Sequence, residues 1–173
     1  MRKTILQLYC IFSLLLPGPA DLLAQTRYWV GGTGGNWNDA LKWSTVSGGA
    51  GGAGAPTAAQ DALFDTNSFT APGGVVVVTG GATCRRMDWT GVTNAPVLSL
   101  NNPLIIDGNG NALVLADGMS VIGTSDLILK GSGNITINMG TTGKTVGALK
   151  FTANAPKNIT LATGDGLHTH ASA

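Results

Sequence analysis

From Val75 to Leu161 no long helix can form, because apolar residues come only in short clusters broken by Gly, Asn and Asp. Helices need sustained apolar spacing at a period of 3.6 over about ten or more residues, whereas strands need only a few residues alternating between two faces. The clusters read as strands at Val75–Thr79, Arg86–Trp89, Val97–Leu100, Leu104–Ile106, Ala112–Leu115, Ser120–Ile122, Leu127–Lys130, Ile135–Asn138, Val146–Phe151 and Ile159–Ala162. Alternation is plainest in Ile135-Thr136-Ile137-Asn138 and Ile159-Thr160-Leu161. Turn chemistry separates them at Asp107-Gly108-Asn109-Gly110-Asn111, Asp117-Gly118, Gly131-Ser132-Gly133-Asn134 and Gly164-Asp165-Gly166. The composition agrees: there is no Glu, 26 of 173 residues are Gly, and Val, Ile, Leu, Thr and Asn fill much of the rest. Strong helix formers are therefore scarce while β-branched residues and turn formers abound.

Turns every eight to twelve residues or so suit a sandwich, a barrel or a solenoid. A weak period tilts the choice. Apolar triplets recur at Leu104, at Leu127 and near Ile159, and Ile135 precedes Ile159 by 24 residues. The expected fold is all-β, a parallel β-helix or β-solenoid, with an antiparallel β-sandwich as the alternative. A solenoid needs closed ends, and the Trp/Gly-rich start is a natural amino-terminal cap.

The chain divides into three parts. Residues 1–25 read as a secretory signal peptide: Arg2 and Lys3, an apolar stretch from Ile5 to Leu16, the helix-breaking Pro17-Gly18-Pro19, and a cut near Gln25. The stretch is shorter than the roughly 20 residues that span a bilayer, and no later segment is apolar enough, so no membrane span is expected once the signal is removed. Residues 26–74 hold the Trp-rich cap, with Trp29, Trp37 and Trp43 among glycines, then a Gly/Ala loop from Gly48 to Pro56 and a short strand around Gln60–Asp65. Residues 75–173 are the short-strand solenoid.

Charge and cysteine usage exclude several functions. With Arg2, Lys3 and Asp21 removed, ten basic and nine acidic residues become eight of each, and no basic footprint for nucleic acid or an anionic membrane remains. Cys84 is the one cysteine after the signal, so no internal disulfide can form; it reads as a small buried hydrophobe.

Tyr28-Trp29-Val30-Gly31-Gly32, Gly35-Asn36-Trp37-Asn38-Asp39 and Trp43-Ser44 resemble the start of large, strand-rich surface proteins of Bacteroidetes-type bacteria. Ser47 to Ala53, Pro56-Thr57, Asp61 to Asp65 and Cys84 to Gly91 continue the resemblance, and the Trp-Gly-Trp opening is also similar to autotransporter-associated β-helix passengers. Lys42 departs from the pattern, which has Asn before the third Trp. The resemblance implies export to the outer surface, often by the type IX secretion route, and a role in adhesion or matrix. Family members are longer, with further β modules and a carboxyl-terminal sorting domain, so a truncated product or an isolated amino-terminal module is expected here.

Candidate chemistry is sparse. Trp29, Trp37 and Trp43 suit either a sugar-stacking platform, since indole faces match the apolar faces of pyranoses, or the buried cap of the solenoid core. Trp89 reads as core. Asp107-x-Asn109-x-Asn111 opens like a calcium loop, but Ala112 and Gly118 stand where Gly and Glu belong. Asn36, Asn38, Asp39 and Asp61 would share a cation only if the fold gathered them. Gly140-Thr141-Thr142-Gly143-Lys144-Thr145 ends like a phosphate loop but lacks its first Gly, and reads as a turn. His168 and His170 lie in a tail with no third ligand. Asn134-Ile135-Thr136 and Asn158-Ile159-Thr160 match the glycosylation triplet, which short alternating strands produce by chance.

Arg85, Arg86 and Asp88 form the one compact charged group, and glycosidase or lyase chemistry would need a better constellation. The expectation is a structural or adhesive exported module without catalysis, metal or cofactor. A carbohydrate-binding domain is the alternative, and a polysaccharide lyase or glycosidase fragment the third reading. Surface glycans or matrix are the expected partners, together with end-to-end self-association through an unpaired terminal coil.

Overall fold

The computed structural model describes residues 25–141, 144–146, 148–152, 158–162 and 167–169. The signal-peptide reading, His170 and the Gly164–Gly166 turn lie outside these residues. The fold is a β-solenoid of mostly parallel strands, as the weak period suggested, and not a sandwich. In chain order the strands are β1 (Thr26–Trp29), β2 (Gly34–Asn36), β3 (Trp43–Ser44), β4 (Asp61–Leu63), β5 (Val75–Val78) and β6 (Ala82–Cys84). There follow β7 (Arg86–Asp88), β8 (Val97–Leu100), β9 (Leu104–Ile106), β10 (Gly110–Val114), β11 (Ser120–Gly123) and β12 (Asp126–Leu129). The last are β13 (Ile135–Asn138), β14 (Lys144–Val146), β15 (Ala148–Phe151), β16 (Ile159–Ala162) and β17 (Leu167–Thr169). The helical content of the described residues is one 3-10 turn at Ala40–Lys42, and none of their helices is long and apolar enough to cross a membrane.

Every third strand stacks, so the coil has three faces. Face A runs β16-β13-β10-β7-β4-β1-β3, face B runs β11-β8-β5-β2 with β14 beside β11, and face C runs β15-β12-β9-β6. β14 pairs with β17, which continues face B. Successive turns are 22 to 26 residues apart from β4 onward, as Val75↔Val97, Leu104↔Leu127, Ile135↔Ile159, Asp61↔Arg86 and Met87↔Leu113 show. The two spacings visible in sequence, Leu104 to Leu127 and Ile135 to Ile159, are therefore true ladder rungs, although they lie on different faces.

Parallel in-register stacking puts like positions above one another, and the inward rows become continuous apolar columns. On face C, Ala82 and Cys84 are followed by Leu104 and Ile106, then by Leu127 and Leu129. All six are at most 3% exposed. On face B, Val76 and Val78 underlie Leu98 and Leu100. On face A, Ala62, Met87, Leu113 and Ile137 form one column. Each buried side chain of this size contributes about 1.5–3 kcal/mol by leaving water, offsetting the ordering of a chain that has no disulfide to constrain it.

Corners are set by glycine where backbones meet. A Cβ on Gly131 would come within 2.1 Å of the Gly108 carbonyl oxygen, and one on Gly108 within 2.2 Å of the Arg85 oxygen. Both corners turn from face C to face A, one above the other. Beyond shifts of one or two residues at strand ends, such as Gly110–Val114 for Ala112–Leu115, two larger differences from expectation concern face C. Ala82–Cys84 was not anticipated as a strand, because three small residues carry no period by themselves. Val146–Phe151 divides into the end of β14 and all of β15, where the chain turns from face B to face C.

Residues 26–74 belong to the same ladders. β1 pairs in parallel with β4, and β2 with β5. Among the described strands β3 alone runs antiparallel, against β1, and closes the outer edge of face A. The Gly/Ala loop then covers β3: Ala53 N donates to Trp43 O, and Gly52 N to Ala40 O. Gly51 lies so close to the 3-10 turn that a Cβ would stand 1.8 Å from the Leu41 oxygen.

Gly131→Ala should lower stability by about 1–3 kcal/mol through this corner clash. Gly81→Ala, where a Cβ meets nothing within 4 Å, should stay within about 0.5 kcal/mol of the parent. Urea unfolding of the two variants side by side checks the ranking.

Candidate functional site

The structure gathers the three early tryptophans, but in the interior. Trp29, Trp37 and Trp43 are each 0% exposed. Trp43 packs edge-on against Trp29 at 5.1 Å and against Trp37 at 4.9 Å between ring centroids. Its indole Nε1 donates to the Trp37 carbonyl at 2.6 Å. Phe64 joins the cluster 5.6 Å from Trp43 and stacks on Trp89 at 3.6 Å with the planes 3° apart. The sugar-stacking expectation for Trp29, Trp37 and Trp43 is overturned by this burial, since stacking needs an indole face open to solvent. The aromatics seal the head of the solenoid, and Trp89 is core as expected. An aromatic cluster this size supplies about 0.5–1.5 kcal/mol per pair beyond area burial.

The charged group Arg85, Arg86 and Asp88 disperses over three turns of the coil. Arg85 reaches back to Asp61 in a two-pronged ion pair at 2.8 and 2.6 Å. Arg86 reaches forward, its Nε donating to Asn111 O at 3.0 Å. Asp88 accepts from Thr90 N at 2.8 Å within its own turn. No shared centre results. The oxygens proposed for cations are similarly engaged: Asp39 Oδ1 accepts from Leu41 N, Asn36 Oδ1 from Asn38 N, and both oxygens of Asp61 face Arg85. In the Asp107–Asn111 turn, Asn109 Oδ1 accepts from Gly133 N at 2.5 Å, tying one coil to the next. No group of three His, Cys, Asp or Glu among the described residues is placed to hold a metal.

Gly140 and Thr141 form a corner in which Gly140 N donates to Asn138 Oδ1 and Thr141 N to Asp117 Oδ1. Lys144 then opens β14 and is buried, so it is not offered to a phosphate. Burial pushes its ammonium below the ordinary lysine range, while the Asp117 carboxylate pulls the other way. The backbone at His168 lies in β17, paired with β14, instead of in a free tail. Cys84 is fully buried, and burial, helped by the Asp61 charge, pushes its thiol up beyond the range in which it would react near neutrality.

Two features were missed by sequence reasoning. Arg27 pairs in register with buried Ala62 and so falls in an inward row. Its Nε and Nη1 are buried with no hydrogen-bond partner, while Nη2 faces Gln25 Oε1 at 3.4 Å. Alternation counted back from Trp29 could have flagged it. The second is an open depression of about 280 Å3 where faces A and B meet, lined by Thr90, Leu115, Asp117, Asn138 and Thr141 among others. It spans three stacked corners and offers hydroxyl, amide and carboxylate groups over a small apolar floor. Its residues are 23 to 27 apart in sequence, so only the coil period could have assembled them.

No family model matches the chain, and neither a curated protein nor a solved structure matches it.

Because the folded state disfavours the Lys144 ammonium, unfolding releases that penalty, and the unfolded chain binds more protons between the lowered value and about 10.4. Stability should therefore rise with pH across that alkaline window. Lys144→Met should flatten the rise in urea midpoints measured over a pH series; an unchanged slope would assign it elsewhere.

Proposed function

We propose that the chain is an exported β-solenoid module of the cell surface or extracellular space, structural or adhesive in role and without catalytic activity. The observation that carries this reading is the use made of its polar side chains. Asp39, Asp65 and Asp88 each cap a turn of their own. Asp61, Asp117 and Asp126 each bind the following coil, through Arg85, Thr141 N and Lys150. Asn109 and Asn134 do the same through the backbone N–H groups of Gly133 and Asn158. Carboxylates spent in this way hold a scaffold together and are poorly disposed to accept or deliver protons to a substrate.

Export rests on the leader-like residues 1–25 and on the resemblance to strand-rich Bacteroidetes-type surface proteins carried by Tyr28 to Gly91. Near-neutral charge and a continuous aliphatic interior suit a stacked scaffold that works by its shape and surface. The carbohydrate-binding alternative is favoured by a different observation from the one first expected. With the tryptophans buried, the depression beside Thr90, Asp117, Asn138 and Thr141 is the place where a hydroxyl-rich ligand finds matching donors and acceptors.

The expected outcome on a glycan array is no selective binding by the protein from Gln25 onward, and no release of reducing ends or unsaturated uronates from common polysaccharides. Selective binding that weakens in Thr90→Ala and Asn138→Ala, but not in Trp29→Phe, would promote the carbohydrate-binding reading. Expressed in a bacterium with a type IX route, the chain should be recovered outside the cytoplasm with its leader removed. Retention inside with residues 1–24 intact would refute export.

A further inference from the structure

We propose that Asn109 is a modification site gated by the stacking of the coils. Its side-chain amide converts to aspartate and isoaspartate when the corner before β10 opens, and the isoaspartate form cannot close that corner again. This chemistry is independent of the role proposed for the surface. Asn109-Gly110 is the one Asn-Gly pair in the 173 residues. A glycine after asparagine leaves the amide carbon open to the next backbone nitrogen, because no Cβ crowds the approach. Both residues are exposed to water, and Gly110 holds a left-handed φ of 66° that suits its type.

In the open corner the Gly110 nitrogen attacks Asn109 Cγ. A bond forms between them, the bond from Cγ to Nδ2 breaks, and ammonia leaves with the proton from Gly110 N. Solvent water, the co-reactant, then opens the cyclic imide. Addition at Cγ releases Gly110 N from the side chain and gives aspartate on an unaltered main chain. Addition at the main-chain carbonyl carbon breaks its bond to Gly110 N instead. The product is isoaspartate, in which the chain runs through the side-chain methylene and the free carboxylate sits on Cα.

The folded corner ties both reacting groups to the next coil. Gly110 N donates to Asn134 O at 2.8 Å, and Asn109 Oδ1 accepts from Gly133 N at 2.5 Å. Gly133 also packs on the amide itself: a Cβ there would stand 3.1 to 3.3 Å from Asn109 Cγ, Nδ2 and Oδ1. Swinging Cγ onto Gly110 N breaks both hydrogen bonds, so the rate follows the fraction of corners that are open. Spacing bars the return. A Cβ on Gly131 would come within 2.1 Å of Gly108 O and 2.7 Å of Asn109 Oδ1, which leaves no room for an added backbone methylene. In isoaspartate the carboxylate has also left the position from which it accepts the Gly133 N–H.

The chain from Gln25 onward, aged at one mildly alkaline pH in buffer and in concentrated guanidinium chloride, tests this by peptide mass mapping with an isoaspartate-selective methyltransferase. Conversion at Asn109 should be more than about tenfold slower in the folded chain. Gly131→Ala, which crowds the corner, should speed the folded-state reaction, and Gly81→Ala should not. Chains aged unfolded and returned to buffer should show a lower urea midpoint than the parent. Freshly prepared Asn109→Asp should keep the parent's midpoint, and Asn109→Ser aged alongside should keep its own. Equal rates folded and unfolded would overturn the gating, as would a folded Gly131→Ala no faster than Gly81→Ala. Should Gly131→Ala fail to fold, the two rates of the parent still decide. Isoaspartate-bearing chains that regain the parent's midpoint, or Asn109→Asp falling as far as they do, would overturn the block on re-closure.

Discussion

Parallel stacking in register is the constraint from which the rest of this molecule follows. Each strand hydrogen-bonds to the strands one coil above and below, so from β4 onward a side chain has as its nearest lateral neighbour the residue 22 to 26 positions away. Inward positions must then be compatible with themselves, rung after rung. Leu, Ile and Val satisfy this by packing on one another, and Phe64 and Trp89 do so by stacking face to face, with Trp29 tilted against Phe64. Corners must stack as well. There the limiting quantity is backbone separation, which is why Gly108 and Gly131 are buried one above the other and tolerate no Cβ.

The same constraint makes the ends the difficult part of the fold, because a ladder has no intrinsic stop. At the head the chain solves this by reversing direction. A two-residue antiparallel strand, a 3-10 turn capped by Asp39, and a glycine-lined loop lie across the first coil, over a plug of three tryptophans. The indoles are therefore a stopper. Their size, which first suggests a binding platform, is what fills a triangular cross-section that lacks a third strand at that level. Toward the other end the face C register runs on from Leu129 to Phe151 in β15, the last described strand of that face.

Much of this was legible in the sequence. The fold class, the inward face of β13, and the bounds of β8, β9, β13 and β16 follow from short apolar clusters between turn residues. The period was also present more strongly than single residues suggest. Leu104-Ile105-Ile106-Asp107-Gly108-Asn109-Gly110-Asn111 and Leu127-Ile128-Leu129-Lys130-Gly131-Ser132-Gly133-Asn134 agree in apolar and glycine positions at a shift of 23. That agreement encodes one strand and one corner. Other things could not be read locally. β6 is too short and its residues too small to announce a strand; its identity comes from Leu104 and Ile106 lying above it. The fate of the tryptophans depends on whether β3 folds back over β1, a long-range event that no local pattern records. The depression at the corner of faces A and B joins Thr90, Asp117 and Thr141, which become neighbours only once the coil length is known.

Electrostatics completes the logic of the scaffold. A chain with so few charges has little long-range field, and it uses several of them at short range to bridge one coil to another. Exposed pairs of this kind contribute little individually, about 0–1 kcal/mol, so their value lies in register. Arg85 meeting Asp61 and Lys150 meeting Asp126 penalise a slip of one residue, which would turn every apolar side chain outward. Asn109 and Asn134 add the same preference by accepting from backbone N–H groups in the next coil. The aliphatic columns alone would tolerate a slip of two residues, which keeps inward positions inward, because one β-branched or leucine side chain stacks on another nearly as well as on its proper partner. Specificity therefore comes from the polar corners and stability from the apolar faces. A surface whose carboxylates are tied to register has few left to act on anything else, and this division of labour is the physical basis for reading the molecule as a scaffold.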